Sequence, residues 1–455
     1  MNPLLSILTL PADSTVRDAV KCVESGGRKI AFVVDGAGCL TGVVTDGDIR
    51  RYLLKEDGMD ASVSRCMNQH FSSVRIDTSR EELLKIFDLG YHVIPGVDAQ
   101  GVLREIYTRE LRAIPEVPIL ARARAPVRMG FCGGGSDLTY FFVDHPAAVL
   151  NCTVGLYSHA TLMPRKDGEI HIYAEDLDKE EHFDHLQALL DHDTKSLLSS
   201  VISVVRPNYG FDLYLRSDFP VGSGLGGSSA ATTAVIAAFN ELRQDRWNAY
   251  EIAELAFQVE RLCFGISGGW QDQYASAFGG FNLIEFKNQR NLVHPIRLED
   301  GTRNELEACL LLCDTGVSHD SGRLHDVQRS QMQTASATQS SLLKASVDLC
   351  RRMHQHLIRA ELNEFGRCLH ETWLLKKQFS NEVSNQKFDD IYEAARSTGV
   401  LGGKLLGAGG GGFFLFYVRP ENRNAVIQAV SNLGCSPSHF RFEFNGVTSW
   451  RAKAQ

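Results

Sequence analysis

Between Pro220 and Ala234 the chain reads PVGSGLGGSSAATTA. Four glycines in six residues let a backbone curl tightly, and two serines then open a run of small, helix-compatible residues. Backbone N–H groups at such a loop and at the following helix N-terminus attract anionic oxygens. A serine hydroxyl is also a suitable hard ligand for Mg²⁺ beside phosphates. Gly222, Gly224 and Gly227 fit the dinucleotide spacing G-x-G-x-x-G. That reading needs an acidic residue at the end of a second strand about 20 residues on. Glu241 has the separation, but SSAATTAVIAAFNELRQ reads as helix through it. A P-loop needs a lysine after the glycines, and none is present. A third phosphate cradle, or a plain glycine turn with a serine cap, remains.

Three other segments decide between these. RAPVRMGFCGGGSDL (Arg124–Leu138) precedes the loop, GGWQDQYASAFGGF (Gly268–Phe281) follows it, and GGKLLGAGGGGFFLFY (Gly402–Tyr417) closes the set. Together with PVGSGLGGSSA, in this order across 122–445, they resemble the GHMP kinases. Within that superfamily the chain is most similar to the D-glycero-D-manno-heptose 7-phosphate kinases, which share the R-A-P-x-R start, the G-G-G-[ST]-D turn, Q-D-Q-Y and K-L-L-G-A-G-G-G-G-F. WLLKKQFSNEVSN (Trp373–Asn385) fits the helix before their last glycine loop.

The resemblance implies ATP and Mg²⁺ as cofactors and gives the residues roles. Asp272 matches the general base, and Arg128 the cation that keeps it ionised and steadies charge on the transferring phosphoryl group. Gly222, Ser223, Gly224, Leu225, Gly226, Gly227, Ser228 and Ser229 are expected to cradle the nucleotide. Ser228 and, less directly because Glu254 is nearby, Glu260 are the expected Mg²⁺ ligands. Gly133, Gly134, Gly135 and Asp137 match the sugar-binding turn. Gly409, Gly410 and Gly411, with Gly407 and Gly412, form the closing loop, expected to brace the first and line the acceptor site. The implied reaction is phosphorylation of the anomeric hydroxyl of a heptose 7-phosphate, for activated heptose and surface polysaccharide. Lys376, Lys377 and Lys404 flank the acceptor-side segments and are candidates for its distal phosphate, although solvated surface lysines are the ordinary reading of the first two.

Other elements must position these groups. Residues 1–112 contain a repeat at an offset of 63: KIAFVVDGAGCLTGVVTDGDI from Lys29 against HVIPGVDAQGVLREIYTRELR from His92. Each copy reads as helix, strand, tight turn, strand, helix, with Thr15 and Thr78 as N-caps. One copy is too small to bury a core alone, so the two should pack together. The arrangement resembles a tandem pair of CBS domains. In that family Thr45 and Asp48 of GVVTDGDIRR would hold the ribose of an adenosine nucleotide. The second copy keeps Thr108 but has Leu111 in place of the aspartate. The other reading is a packing module through which the chain forms a homo-oligomer, a dimer being expected.

A linker is expected at 113–121, where Pro115 and Pro118 interrupt helix. The rest is expected to be a two-lobed α+β kinase domain over 122–455, its lobes at about 122–287 and 288–447. HFDHLQALLDHD reads as a solvated helix without a metal motif. The 455 residues are 44% apolar and 22% charged, with net charge −8. No basic run is present, which argues against nucleic-acid and anionic-membrane partners. The 11 cysteines include no C-x-x-C pair, suggesting reduced thiols and a cytoplasmic setting. No signal peptide or membrane span is expected. The rival readings are a fucokinase- or galactokinase-like anomeric kinase, a nucleotide-sensing regulator with an inactive kinase body, and a Rossmann oxidoreductase. Asp272, Ser228 and both glycine loops argue against inactivity.

Overall fold

The computed structural model describes residues 3–55, 58–111, 117–193, 195–317, 337–380 and 382–454. It divides into two compact units, Met1–Glu116 and Val117–Gln455. Among the described residues no helix is long and apolar enough to cross a membrane.

In the first unit the repeat is visible as geometry. Ile30–Val34 pairs antiparallel with Leu40–Thr45, and Val93–Val97 pairs with Leu103–Thr108, each residue displaced by the same 63 positions. Both hairpins turn through an aspartate whose carboxylate accepts two backbone N–H groups: Asp35 from Ala37 and Cys39, Asp98 from Gln100 and Val102. The turns then join each other. Leu40 N donates to Gly101 O (3.1 Å) and Leu103 N to Gly38 O (3.0 Å), a reciprocal pair that relates the copies by a local two-fold. Phe32 and Val43 of one copy share a buried cluster with Val93, Leu103 and Ile106 of the other. Neither hairpin would bury that face alone.

Two local expectations change here. Thr15 caps Val16–Gly26 in a capping box with Asp18, but the second copy is capped by Ser79, not Thr78. Ser79's hydroxyl accepts from Glu82 N, while Thr78 N is tied to Arg75 O in the preceding turn. The second copy also does not continue into helix over Arg109–Leu111. The expected linker falls partly outside the described residues, at 113–116. Its far end is not a linker, because Ile119–Cys132 is already a strand, paired with Thr448–Lys453 near the C-terminus.

Among its described residues the second unit is α+β, with a nine-stranded and a four-stranded sheet. The long strand Ala147–Arg165 organises the first. Ile119–Cys132 pairs along one edge, and Gly210–Ser217, Phe442–Glu443 and Phe281–Phe286 share the other, all antiparallel. The lobes are therefore not contiguous in sequence. Leu292–Pro295 and Phe442–Glu443, both assigned by sequence to the second lobe, belong to the first sheet. The second sheet orders Val400–Leu405, Phe413–Val418, Leu310–Asp314 and Ser436–Ser438.

The helix Gly227–Leu242 is buried on nearly every side. Its Ala and Thr residues carry little volume, so the helix can press closely against the first sheet. Glu241 sits on this helix and anchors it through Arg246, Ser449 and Arg451. It is not at a strand end, and the sheets are mainly antiparallel, so the Rossmann reading is set aside. The histidine-rich segment is also not one helix. His182 and Phe183 end a strand, and only Leu186–Leu190 is helical, with Leu189 buried among core residues.

Candidate active site

The first glycine loop leads into Gly227–Leu242 through three left-handed residues, Gly222, Gly224 and Gly226. Gly226 is the helix N-cap and no side chain caps it, so the first amides face outward for an anion. A Cβ on Gly226 would stand 3.3 Å from the Asp272 carboxylate carbon. The missing side chain thus brings the loop directly against Asp272.

Asp272 lies in the first turn of Gln271–Phe278. Arg128, on the strand Ile119–Cys132, grips it with two bonds: Nε to Oδ1 at 2.7 Å and Nη2 to Oδ2 at 2.9 Å. Nη1 donates to Gly224 O at 2.7 Å. One guanidinium therefore ties the carboxylate to the glycine loop. Arg128's side chain is 6% exposed and Asp272's 18%, so the pair is shielded while the carboxylate keeps an open side.

Asp137 holds the approach to that helix. Its Oδ1 accepts from Gly135 N (3.0 Å) and its Oδ2 from Gln271 N (3.2 Å). A Cβ on Gly269 would come within 1.9 Å of Asp137 Oδ2, so only glycine fits there. Burial and the neighbouring Asp272 carboxylate push the Asp137 pKa up.

Ser228 and Glu260 meet although 32 residues separate them. Ser228 Oγ donates to Glu260 Oε1 at 2.5 Å, and Ser229 Oγ to Oε2 at 2.7 Å. Gln273 Nε2 also bonds Glu260. Glu260 is fully buried, yet among the described residues its three side-chain partners are all neutral. A buried carboxylate without a cation is costly, and this hard-oxygen pair beside the phosphate loop suits Mg²⁺. Glu260 sits in a single π-helical stretch, Gln258–Cys263, that follows Ala249–Phe257. The sequence pattern gave no sign of that change in winding. Gln273 was missed as well, since a glutamine in WQDQY has no distinctive signal.

The closing loop packs backbone to backbone on the first. A Cβ on Gly407 would lie 2.8 Å from Gly224 Cα, and one on Gly412 would lie 2.4 Å from Ser223 O. The cavity beside Asp272 is lined by Gly134, Gly135, Asp137, Gly407 and Ala408 among others. Four expected residues are not in its wall. Gly133 is wedged against Ala148 O, Gly409 packs on Val383, Gly410 N bonds Val383 O, and Gly411 is also absent from the lining.

The lysines also depart from expectation. Lys376 is not a solvated surface residue: its Nζ donates to Leu405 O and Gly407 O, both at 2.8 Å, and it lines the cavity with Lys404. Lys377 instead pairs with Asp389 at 3.3 Å.

Known proteins share this architecture. The GHMP kinases N terminal domain matches residues 196–280, the GHMP kinases C terminal domain 353–434, and the CBS domain 1–55. The chain is 34% identical over 336 residues to D-glycero-alpha-D-manno-heptose 7-phosphate kinase of Campylobacter jejuni, covering 72% of this chain and 98% of that protein. A crystal structure of a D-glycero-D-manno-heptose 1-phosphate kinase from Bacteriodes thetaiotaomicron superposes with a TM-score of 0.62 at 30% identity, covering 73% of this chain and 100% of that one. The L-fucokinase/L-fucose-1-P guanylyltransferase of Bacteroides fragilis is 27% identical over 333 residues, 67% of this chain but 35% of that longer protein. A 34% identical match over 98% of the Campylobacter jejuni protein, on a fold that brings four separated motifs around one carboxylate, means that this chain belongs to the GHMP kinase family and carries a CBS domain at its N-terminus.

Proposed function

We propose that the protein transfers the γ-phosphoryl group of ATP to the anomeric hydroxyl of a heptose 7-phosphate, supplying activated heptose for surface polysaccharide. The observation that carries the reaction type is the Arg128–Asp272 pair set against the glycine loop. The heptose-kinase relative, aligned over nearly its whole length, supports the acceptor.

In this reading the first glycine loop and the amides of Gly227–Leu242 hold the nucleotide phosphates. Ser228 and Glu260 would hold Mg²⁺, which neutralises charge on the β- and γ-phosphates when bound. Asp137 accepts sugar hydroxyl bonds and fixes the ring. Asp272 takes the proton of the attacking hydroxyl. That oxygen forms a bond to the γ-phosphorus as the bond to the bridging oxygen breaks, leaving ADP. Arg128 holds the Asp272 carboxylate in place by two hydrogen bonds before transfer.

The fucokinase relative favours a second reading, an anomeric kinase for an unphosphorylated sugar. Both readings place the new phosphate on the anomeric carbon. Phosphorus and carbon NMR of the product should show phosphorus coupled to C1 and, for heptose 7-phosphate, two phosphate signals in equal amount. Coupling to any other carbon would reject anomeric transfer.

The CBS pair is proposed to bind an adenosine nucleotide at Thr45 and Asp48. In the structure both oxygens of Asp48 are already engaged, Oδ2 by Thr45 Oγ1 and Oδ1 by Arg51 Nη2, each at 2.5 Å. A ribose would have to share or displace these bonds. Calorimetry of the full chain with AMP, ADP and ATP should therefore show a binding event that Asp48→Ala removes while kinase turnover without the effector persists. Identical isotherms for Asp48→Ala and the parent would leave Thr45 and Asp48 as a helix cap alone.

A further inference from the structure

The cavity floor is the strand Ile119–Cys132, whose alternate residues Arg128, Gly130 and Cys132 line it. The strand is bulged between Gly130 and Cys132, and both residues line the cavity. Asp272 is gripped at the Arg128 end. Lys404 stands at the Cys132 end, with Nζ donating to Phe131 O at 3.3 Å. Lys376 reaches the same wall from the helix Leu362–Lys377 and bonds only backbone carbonyls.

Among the described residues neither lysine makes an ion pair. Lys404 is 6% exposed. Burial, helped by the Arg128 charge and opposed by the Cys132 and Cys350 thiols, pulls its pKa down to about 8. Lys376 is pushed well below the usual lysine range by burial, then by Lys404 and Arg128. Four cationic side chains (Arg128, Arg261, Lys376, Lys404) line the cavity against two carboxylates, Asp137 and Asp272. The carboxylates are not free to balance the lysines, since Asp272 is committed to Arg128 and Asp137 to Gly135 and Gln271. Burial disfavours the charged form of both lysines, and an anion in the cavity would favour it again and complete them. Both lysines line the same cavity as Asp272, Lys404 at the Phe131 carbonyl and Lys376 at the carbonyls of Leu405 and Gly407, so an anion on the acceptor can meet them while its hydroxyl meets Asp272.

We propose that Lys404 and Lys376 hold the distal phosphate of a phosphorylated acceptor and so set the enzyme's preference for sugar phosphates over free sugars. This rests on the sugar-phosphate reading given above. Charge-assisted bonds to phosphate are the strong kind, and remote binding of this sort orients the reacting end.

The test is the ratio of kcat/KM for heptose 7-phosphate to that for free heptose, in the parent, Lys404→Met and Lys376→Met. The ratio should fall at least about 30-fold in each variant, as for truncation of one partner of a buried charge pair, mostly through KM for the phosphorylated sugar. A merely structural role would lower both substrates together and leave the ratio unchanged, which would overturn the assignment while the acceptor class stands. A parent enzyme without preference for the phosphorylated sugar would instead sink the underlying reading. If Lys404→Met does not fold, Lys404→Arg should retain the preference and Lys376→Met should still lose it. Retention in Lys376→Met as well would reject the pair.

Discussion

Asp272→Asn is expected to lower kcat by about 10²–10⁴-fold, the usual range for loss of a general base, with ATP affinity nearly unchanged. The amide keeps the shape and one acceptor for Arg128, but it cannot take the proton or carry the charge. Its nitrogen would face an Arg128 N–H, because both carboxylate oxygens are used in the parent. A stability loss of about 1–3 kcal/mol should accompany the kinetic one. The glycine loop approaches Asp272 at the bare Gly226 backbone, and Asn leaves that backbone unchanged, so nucleotide binding should survive. The measurements are kcat at saturating acceptor and ATP titration by calorimetry. Near-parental kcat would remove Asp272 from the base role.

Arg128→Met should behave differently, because it strips three contacts at once: both Asp272 oxygens and Gly224 O. An uncompensated carboxylate then stays in a largely shielded site. Breaking a buried pair in this way costs about 3 kcal/mol or more. Turnover should also fall by about 10²-fold or more, as on losing a preorganised electrostatic group. Since the Gly224 link is lost, KM for ATP should rise, unlike in Asp272→Asn. Arg128→Lys restores charge but not the two-pronged geometry, so it should recover only part of each loss. Thermal melting and full ATP kinetics on the three variants separate these effects. Parental melting with parental kcat in Arg128→Met would show that the pair is an ordinary ion pair.

The meeting of Arg128 and Asp272 was legible because their motifs are short, local and rich in glycine. GGW before Asp272 reflects a steric need, the approach of Asp137 to Gly269. The hairpins of the first unit were legible because the repeat keeps aspartate and glycine at matching turn positions. What the sequence concealed depends on long-range packing. Lys376 and Lys377 are adjacent and chemically alike, yet one lines the cavity beneath the closing loop while the other pairs with Asp389 on the neighbouring helix Gln386–Ser397. Helical rotation between neighbours, not composition, separates them. In the closing loop, Gly407 and Gly412 meet the first loop while Gly409 turns toward Val383. A run of glycines carries no mark of which one faces the substrate. Thr78 and Ser79 are both good caps, and only the turn at Arg75 decides between them.

One comparison addresses the acceptor directly: kcat/KM for heptose 7-phosphate, free heptose, fucose and galactose under the same ATP and Mg²⁺. Heptose 7-phosphate should be preferred by about 30-fold or more over every unphosphorylated sugar, the discrimination that a buried charged contact supplies. Equal or better turnover of fucose, galactose or free heptose would contradict the heptose-phosphate assignment.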